Sequence, residues 1–356
     1  MFEPPRCPNV HCTQHKSPGK DFYIRKGYFH PRCRSHPVPR FRCRFCRKGF
    51  SRQTFRADYR DHRPDVNGMV FWLLISGVGL RQTARYTGLT FRCIEMKFRK
   101  IGRHLRGLNT NLRGFLPADS RLQFDELETY EGRRNTRPLT VPVLIERSSR
   151  FVIWGESAPI RPRGKMTEAR LRAIAEDEKR YGPRHDESRA CCLKVLSRGA
   201  HLVRDHEKVV FESDEKSTYP ILAKQVFGEE RLEHLTTSSK LVRGTWNRLF
   251  PINHTEAMMR DNLGRMRRES WLVSKKGWCL DLGVQYFFAY RNYVRSRFNW
   301  EKETPAQQLG FVKERLTVGR VLGWRQDWGE LSIHPESRRG EAVEWPEGAW
   351  PGAVVA

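Results

Sequence analysis

Two cysteine knuckles near the start constrain this chain more than any other feature. "RCPNVHC" carries Cys7 and Cys12, and "PRFRCRFCRKGFS" carries Cys43 and Cys46. Thiol pairs about thirty residues apart suit a tetrahedral four-thiolate zinc site, as in a zinc ribbon. Four thiolates close the coordination shell, so a zinc there would be structural rather than catalytic. The module's apolar residues, Phe22, Tyr23, Tyr28, Phe41, Phe45 and Phe50, are few for an independent core, and the ion would stabilise it. The Cys-x4-Cys spacing is loose, and Cys33, His11 and His30 are alternative ligands. Arg40, Arg42, Arg44, Arg47 and Lys48 surround the second knuckle, where Arg42 and Arg44 could meet phosphates.

Charge says what such a module would face. Lys plus Arg is 66 against 40 Asp plus Glu, a net charge of +26 over 356 residues. An excess this one-sided points to a polyanion, and nucleic acid is the default. No stretch approaches the roughly 18 apolar residues of a membrane span; the longest candidate, "MVFWLLISGVGL", has only 12. The first residues do not read as a secretory leader. Nine cysteines, an odd count, suggest a reducing compartment with thiols or metal ligands rather than a disulfide framework.

Residues 65–105 read as three helices. The first, 65–76, is apolar and ends at Gly77 and Gly79; "LRQTARYTG" is short and ends at Gly88. Thr90 then opens a helix with Ile94, Phe98 and Ile101 on one buried face. A short helix, a glycine turn and a basic helix form the helix-turn-helix pattern. Arg92, Lys97, Arg99 and Lys100 are the predicted DNA contacts on its outer face.

After "LPADS" the pattern turns to strands. We expect a strand through Phe124, a hairpin over 140–145 and 151–157, helices over 166–180 and 186–203, strands at 208–212 and 232–237, and a long helix over 253–273. Asp125 and Asp214 fall at strand ends and Glu256 early on the last helix. Three clustered carboxylates repel one another unless cations neutralise them. Two Mg²⁺ or Mn²⁺ ions would do so, and would activate the attacking oxygen of a phosphodiester reaction.

On these residues the chain resembles a DDE-type transposase of bacterial insertion sequences. The resemblance rests on the two knuckles, "GLRQTARYTGLT", "DELETY", "SDEKSTYP", "NHTEAMMRDNLGRMRRESWLVSKK" and "TPAQQLGF…LTVGRVLGWRQDW". It implies a multidomain chain: a zinc ribbon (1–55), a helix-turn-helix domain (56–115), an α/β ribonuclease-H-like core with a mixed sheet flanked by helices (118–300) and a C-terminal tail (301–356). It further implies Mg²⁺-dependent cleavage at element ends and strand transfer into target DNA. A homo-oligomer would act on terminal inverted repeats, in the cytoplasm and associated with the nucleoid. Asp125 and Asp214 match the first two catalytic positions. Glu256 is the choice for the third, with Asn253 and Asp261 as alternatives. A non-catalytic DNA-binding regulator, or a decayed transposase, is the competing reading.

Arg260, Arg265, Arg267 and Arg268 share the expected last helix, and Arg260 is a further candidate for the substrate backbone. Cys191 and Cys192 read as buried thiols. "YFFAYRNYVRSRFNW" reads mainly as core, with base stacking open to it. The Gly/Pro/Ala-rich end reads as disordered. No Walker-type or Gly-rich dinucleotide motif is present, which argues against a nucleotide cofactor.

Overall fold

The computed structural model describes residues 2–30, 36–267 and 270–324. Cys33, Arg268 and the tail from 325 lie outside the described residues.

The N-terminal segment forms a short helix α1 (Thr13–Lys16) and an antiparallel sheet of β1 (Tyr23–Phe29), β2 (Val38–Cys43) and β3 (Gly49–Ser51). Among the described residues, its buried core comprises Cys7, Cys12, Phe22, Phe41, Cys43, Phe50 and Phe55. Tyr28 and Phe45 of the expected apolar set are exposed.

Three helices follow: α2 (Asn67–Ile75), α3 (Leu80–Thr87) and α4 (Phe91–Asn111). Gly88 takes φ +67°, a left-handed geometry that ends α3 without the strain a Cβ would bring. Thr90 caps α4 by accepting the Cys93 N–H at 3.3 Å. α4 buries Ile94, Phe98, Ile101, Leu105 and Leu108, as the 3.6-residue period requires.

A mixed sheet follows, built from β4 (Arg121–Tyr130), β5 (Pro138–Glu146), β6 (Val152–Gly155), β8 (Val209–Asp214) and β9 (Leu232–Thr237). A short β7 (Ala158–Pro159) pairs with β5. The order is β6-β5-β4-β8-β9; the first three are antiparallel, whereas β8 and β9 run parallel to β4. Helices α5 (Glu168–Tyr181) and α6 (Ser188–Leu202) precede β8, and α7 (Thr218–Phe227) crosses from β8 to β9. The expected strand order omitted α7. Parallel neighbours need such a crossover, and its buried Tyr219, Leu222, Ala223 and Phe227 carry the helical spacing.

The expected long helix over 253–273 ends early, at Asn262. Helix α8 runs Phe250–Asn262, a 3₁₀ turn follows at Gly264–Met266, and α9 begins only at Gly277 and ends at Ala289. Gly264 explains the break: a Cβ there would sit 2.4 Å from the Gly77 carbonyl oxygen. A π-helical turn (Tyr290–Val294), α10 (Pro305–Gln308) and α11 (Val318–Gly323) complete the described chain.

One hydrophobic core runs from Val66 to Trp324. The segments 56–115 and 118–300 therefore share their interior. Tyr286 of α9 stacks on Phe98 at 5.6 Å and donates its hydroxyl hydrogen to the Phe98 carbonyl at 3.1 Å. Asn109 of α4 donates to the Gln285 carbonyl at 3.0 Å. Residues 301–324, expected as the start of a tail, also join this core through Ala306, Phe311 and Trp324. The His104 ring lies 2.9 Å from the Val321 carbonyl oxygen and edge-on to Trp324. Cys191 and Cys192 are buried, and Tyr286, Phe287, Phe288 and Tyr293 are core, as expected.

Candidate functional site

The four cysteines come together as their spacing predicts. Cys7 Sγ lies 3.5 Å from Cys46 Sγ, Cys12 Sγ lies 3.9 Å from Cys43 Sγ, and all four sulfurs fall within 4.8 Å of one another. A tetrahedron with zinc–sulfur bonds of about 2.3 Å has sulfur–sulfur edges of about 3.8 Å, so the group could hold a metal such as zinc. Disulfides would need sulfurs about 2 Å apart. The second knuckle turns at Arg47, which takes φ +60° and donates its N–H to the Cys43 carbonyl at 3.1 Å. Burial acts to raise the Cys46 thiol, but the Lys48 backbone N–H and the neighbouring groups outweigh it and bring it down to about 6. His11 and His30, the alternative ligands, are exposed.

Strand alternation decides where the carboxylates point. Gln123 faces α8: its amide donates to the Arg248 carbonyl at 2.7 Å, and its oxygen accepts the Ile252 N–H at 3.1 Å. Leu122, next in line, faces α6, where a Cβ on Gly199 would lie 3.8 Å from it. Residues two apart share a face, so Asp125 points toward α8 with Gln123. Gln123 also donates to Glu212 at 2.7 Å, which puts Glu212, and Asp214 two residues on, on that same face. The parallel register pairs Gln123 with Glu212, and continuing it brings Asp125 level with Asp214. Helix α8 covers this face and carries Glu256.

The Asp214 charge acts on both Asp125 and Glu256. Burial is the main force raising Asp125 to about 6, and the Asp214 and Glu126 charges add to it. Burial also pushes Glu256 well above the usual carboxylate range, reinforced by Asp125 and Asp214. Glu256 Oε1 is buried without a hydrogen-bond partner. Backbone N–H groups orient the other two: Glu126 donates to Asp125 Oδ1 at 2.7 Å and Lys216 to Asp214 Oδ1 at 3.1 Å. Among the described residues, however, the cysteines are the one group of three or more ligands tight enough to grip a single ion.

The neighbouring acids are otherwise engaged. Glu126 points to the opposite face, where Thr140 and Tyr219 donate to it at 2.8 and 3.1 Å and Lys216 forms an ion pair with it. Glu215 is exposed. Asn253 lies one turn before Glu256, whereas Asp261 is exposed and about 140° around the helix from it at 100° per residue. Arg243 was not foreseen; its charge acts on both Asp125 and Glu256 from the loop before α8, where no periodic pattern marks it.

The basic candidates divide. Arg92 and Arg44 are exposed, and Arg42 is half-buried. Lys97 is a correction: it is only 6% exposed, and its Nζ donates to both Asp61 carboxylate oxygens and the Arg63 carbonyl at 2.7 Å and to Asn67 Oδ1 at 2.8 Å. Position 97 is three after Ile94 and four before Ile101, so it belongs to the buried face, and that arithmetic was available in the sequence. Lys100 is likewise turned to the Tyr59 carbonyl, and Arg99 pairs with Glu95 at 2.5 Å and lies over Trp278. Arg260 is held by the Met266 and Glu128 carbonyls at 3.1 and 2.9 Å. Exposed side chains near Arg92 that the reading missed are Arg81, Arg85 and Tyr86 on α3 and Arg103 on α4.

No model of a known protein family matches the chain, and a search of curated proteins returns no match. Among the described residues, no helix is long and apolar enough to cross a membrane.

Proposed function

We propose that this chain is a DNA transposase of the DDE type, cutting and joining phosphodiesters at the ends of its own element. The observation that carries this reading is the carboxylate set: Asp125 and Asp214 level on adjacent parallel strands, with the orphaned Glu256 on the helix that covers them. The strand order, with three antiparallel strands followed by two parallel to the first, is the arrangement expected of a ribonuclease-H-like core. The donor set suits divalent ions, because Asp125 and Glu256, both raised by burial and by the Asp214 charge, are stabilised as carboxylates by positive charge. Asp125, Asp214 and Glu256 would hold two Mg²⁺ or Mn²⁺ ions, which when bound activate the attacking oxygen and stabilise the leaving one. The Glu126 and Lys216 amides fix the two aspartates, and the Lys216–Glu126 ion pair ties the ends of their strands together.

In this reading the four-cysteine module holds a structural zinc, and α3–Gly88–α4 is a helix-turn-helix. Both bind the terminal inverted repeats in double-stranded DNA, and the protein acts as an oligomer on that DNA. The exposed Arg81, Arg85 and Arg92 would make the phosphate contacts.

One observation favours the competing regulator: the carboxylates are looser as a set than the cysteines. A nicking assay on a plasmid carrying the DNA that flanks the gene separates the two. Asp125→Asn and Asp214→Asn are expected to lose Mg²⁺-dependent nicking by about 10³-fold or more, with end binding retained. Glu256→Gln should behave alike, and Asp261→Asn should stay active. Wild-type protein that binds the ends and nicks nothing in Mg²⁺ or Mn²⁺ would replace the enzyme with the regulator.

A further inference from the structure

Four arginines meet on the far side of α8, away from the carboxylates. His254 and Glu256 are two residues apart on this helix, about 200° around it, and so face opposite sides. His254 Nδ1 accepts a hydrogen bond from Arg150 Nη1 at 2.9 Å. Burial, with the charges of Arg150, Arg291 and Arg295, lowers His254 to about 4 and keeps it neutral. Arg150 follows the β5–β6 turn at φ +60°, and its guanidinium lies 4.3 Å from the Phe298 ring centre. Arg291 is 0% exposed; its Nη1 reaches the Ser296 carbonyl at 3.2 Å, but its Nε and Nη2 have no partner. Arg295 holds Asn299 Oδ1 at 3.2 Å. Glu301 is the acid among these groups, and Arg297 already takes both its oxygens, at 2.8 and 2.5 Å.

Arg150, Arg291 and Arg295 therefore share with Arg297 the charge of one carboxylate whose oxygens Arg297 holds, and fully buried Arg291 keeps two donors without a hydrogen-bond partner. A buried charge of this kind is costly unless an anion meets it. Phe298 stacks against Trp300 at 4.8 Å with the rings within 4° of parallel, and Trp300 is 81% exposed. A cationic cluster that reaches the surface at Arg295, beside an open aromatic ring, matches the phosphate and base of a nucleotide in a strand. We propose that Arg295, backed by the buried charges of Arg150 and Arg291, binds a backbone phosphate of nucleic acid and that Trp300 stacks on the adjoining base. The proposal rests on the nucleic-acid reading of this chain but not on its catalysis.

Binding of a mixed-sequence single-stranded oligonucleotide to the full chain tests it, with no added divalent ion. Trp300→Ala should weaken binding about tenfold. Arg295→Ala should lower the slope of log affinity against log salt by about 0.7, the loss of one phosphate contact on a single strand. Both positions reach the surface, and an unchanged melting temperature certifies folding. Unchanged affinity in Trp300→Ala together with an unchanged slope in Arg295→Ala overturns the site. Inorganic phosphate is the second probe. If it raises the melting temperature of the wild type but not of Arg295→Ala, while Trp300→Ala binds the oligonucleotide normally, the pocket takes free phosphate and the nucleic-acid assignment falls. A chain that nicks nothing yet shows both losses keeps this site and loses the catalytic reading. A chain that nicks and shows neither does the reverse.

Discussion

The four-cysteine module and the main body are held together by different means. The module's interior is three cysteines and four phenylalanines, whereas the body's core runs unbroken from Val66 to Trp324 and joins two helical segments to a mixed sheet. Burial scales with size, and a unit this small cannot offset its chain entropy by apolar contacts alone. The thiols therefore do in the module what Phe98, Tyr286 and Trp324 do in the body. The difference teaches that the first region should respond to metal and the second to packing.

The largest effect expected follows from that contrast. Purified protein should carry about one zinc per chain, and Cys43→Ser should release it, because metal and folding energies of about 10–16 kcal/mol are coupled in such modules. Limited proteolysis should then open the first fifty-odd residues while the main melting transition stays where it was. Stoichiometric zinc retained in Cys43→Ser would break the comparison and point to another ligand.

Phe98→Ala probes the body. Phe98 is 2% exposed on α4 and stacks on Tyr286 of α9. Its loss should cost about 3–5 kcal/mol, and calorimetry should show the sheet and helices shifting together in one transition. A lowered transition for α2–α4 alone would mean two cores rather than one.

A smaller effect separates Lys97 from Arg92, five residues earlier on the same helix. Lys97→Met leaves Asp61 without its main counter-charge and should cost about 3 kcal/mol at pH 7. Burial acts to raise Asp61, but the Lys97 hydrogen bonds and charge outweigh it and hold Asp61 below its usual value. A depressed carboxylate contributes stability above its unfolded pKa of about 3.9 and loses it as pH falls through the folded value. The gap in melting temperature between wild type and Lys97→Met should thus be widest near neutral pH and narrow below about pH 4. Arg92→Ala should change stability by less than about 0.5 kcal/mol and reduce the salt slope of duplex DNA binding by about 0.9. A DNA-binding loss without a stability loss in Lys97→Met would return that residue to the interface.

Much of this was legible in short-range pattern. The knuckles Cys7/Cys12 and Cys43/Cys46 mark a group that could hold a metal, because a tetrahedral shell needs paired thiols at close spacing, whatever lies between them. Thr90 as a cap, Gly88 as a left-handed stop and the Ile94/Phe98/Ile101 face follow from local sterics and periodicity. Helix α7 was legible and missed: its apolar spacing was present, and the parallel strands it joins demand it.

Other features required the assembled chain. Spacing alone puts Lys97 on the buried face of α4, but only the assembled chain brings Asp61 and Asn67 to its ammonium group. The end of α8 at Asn262 depends on Gly264 closing against the backbone of Gly77, almost two hundred residues earlier. Nothing local tells Arg291 that it will be buried with two donors unpartnered, or Arg243 that its charge will act on Asp125 and Glu256. Asp125 and Asp214 are strand-end aspartates in sequence; only the parallel pairing of β4 with β8 sets them at one level. The sequence by itself determined which segments are helix, strand and metal knuckle, because those choices depend on neighbours within a turn or a pleat. Tertiary structure alone decided which charges are paired or left open, because electrostatic environment is set by groups distant in sequence that close packing brings within a few ångströms.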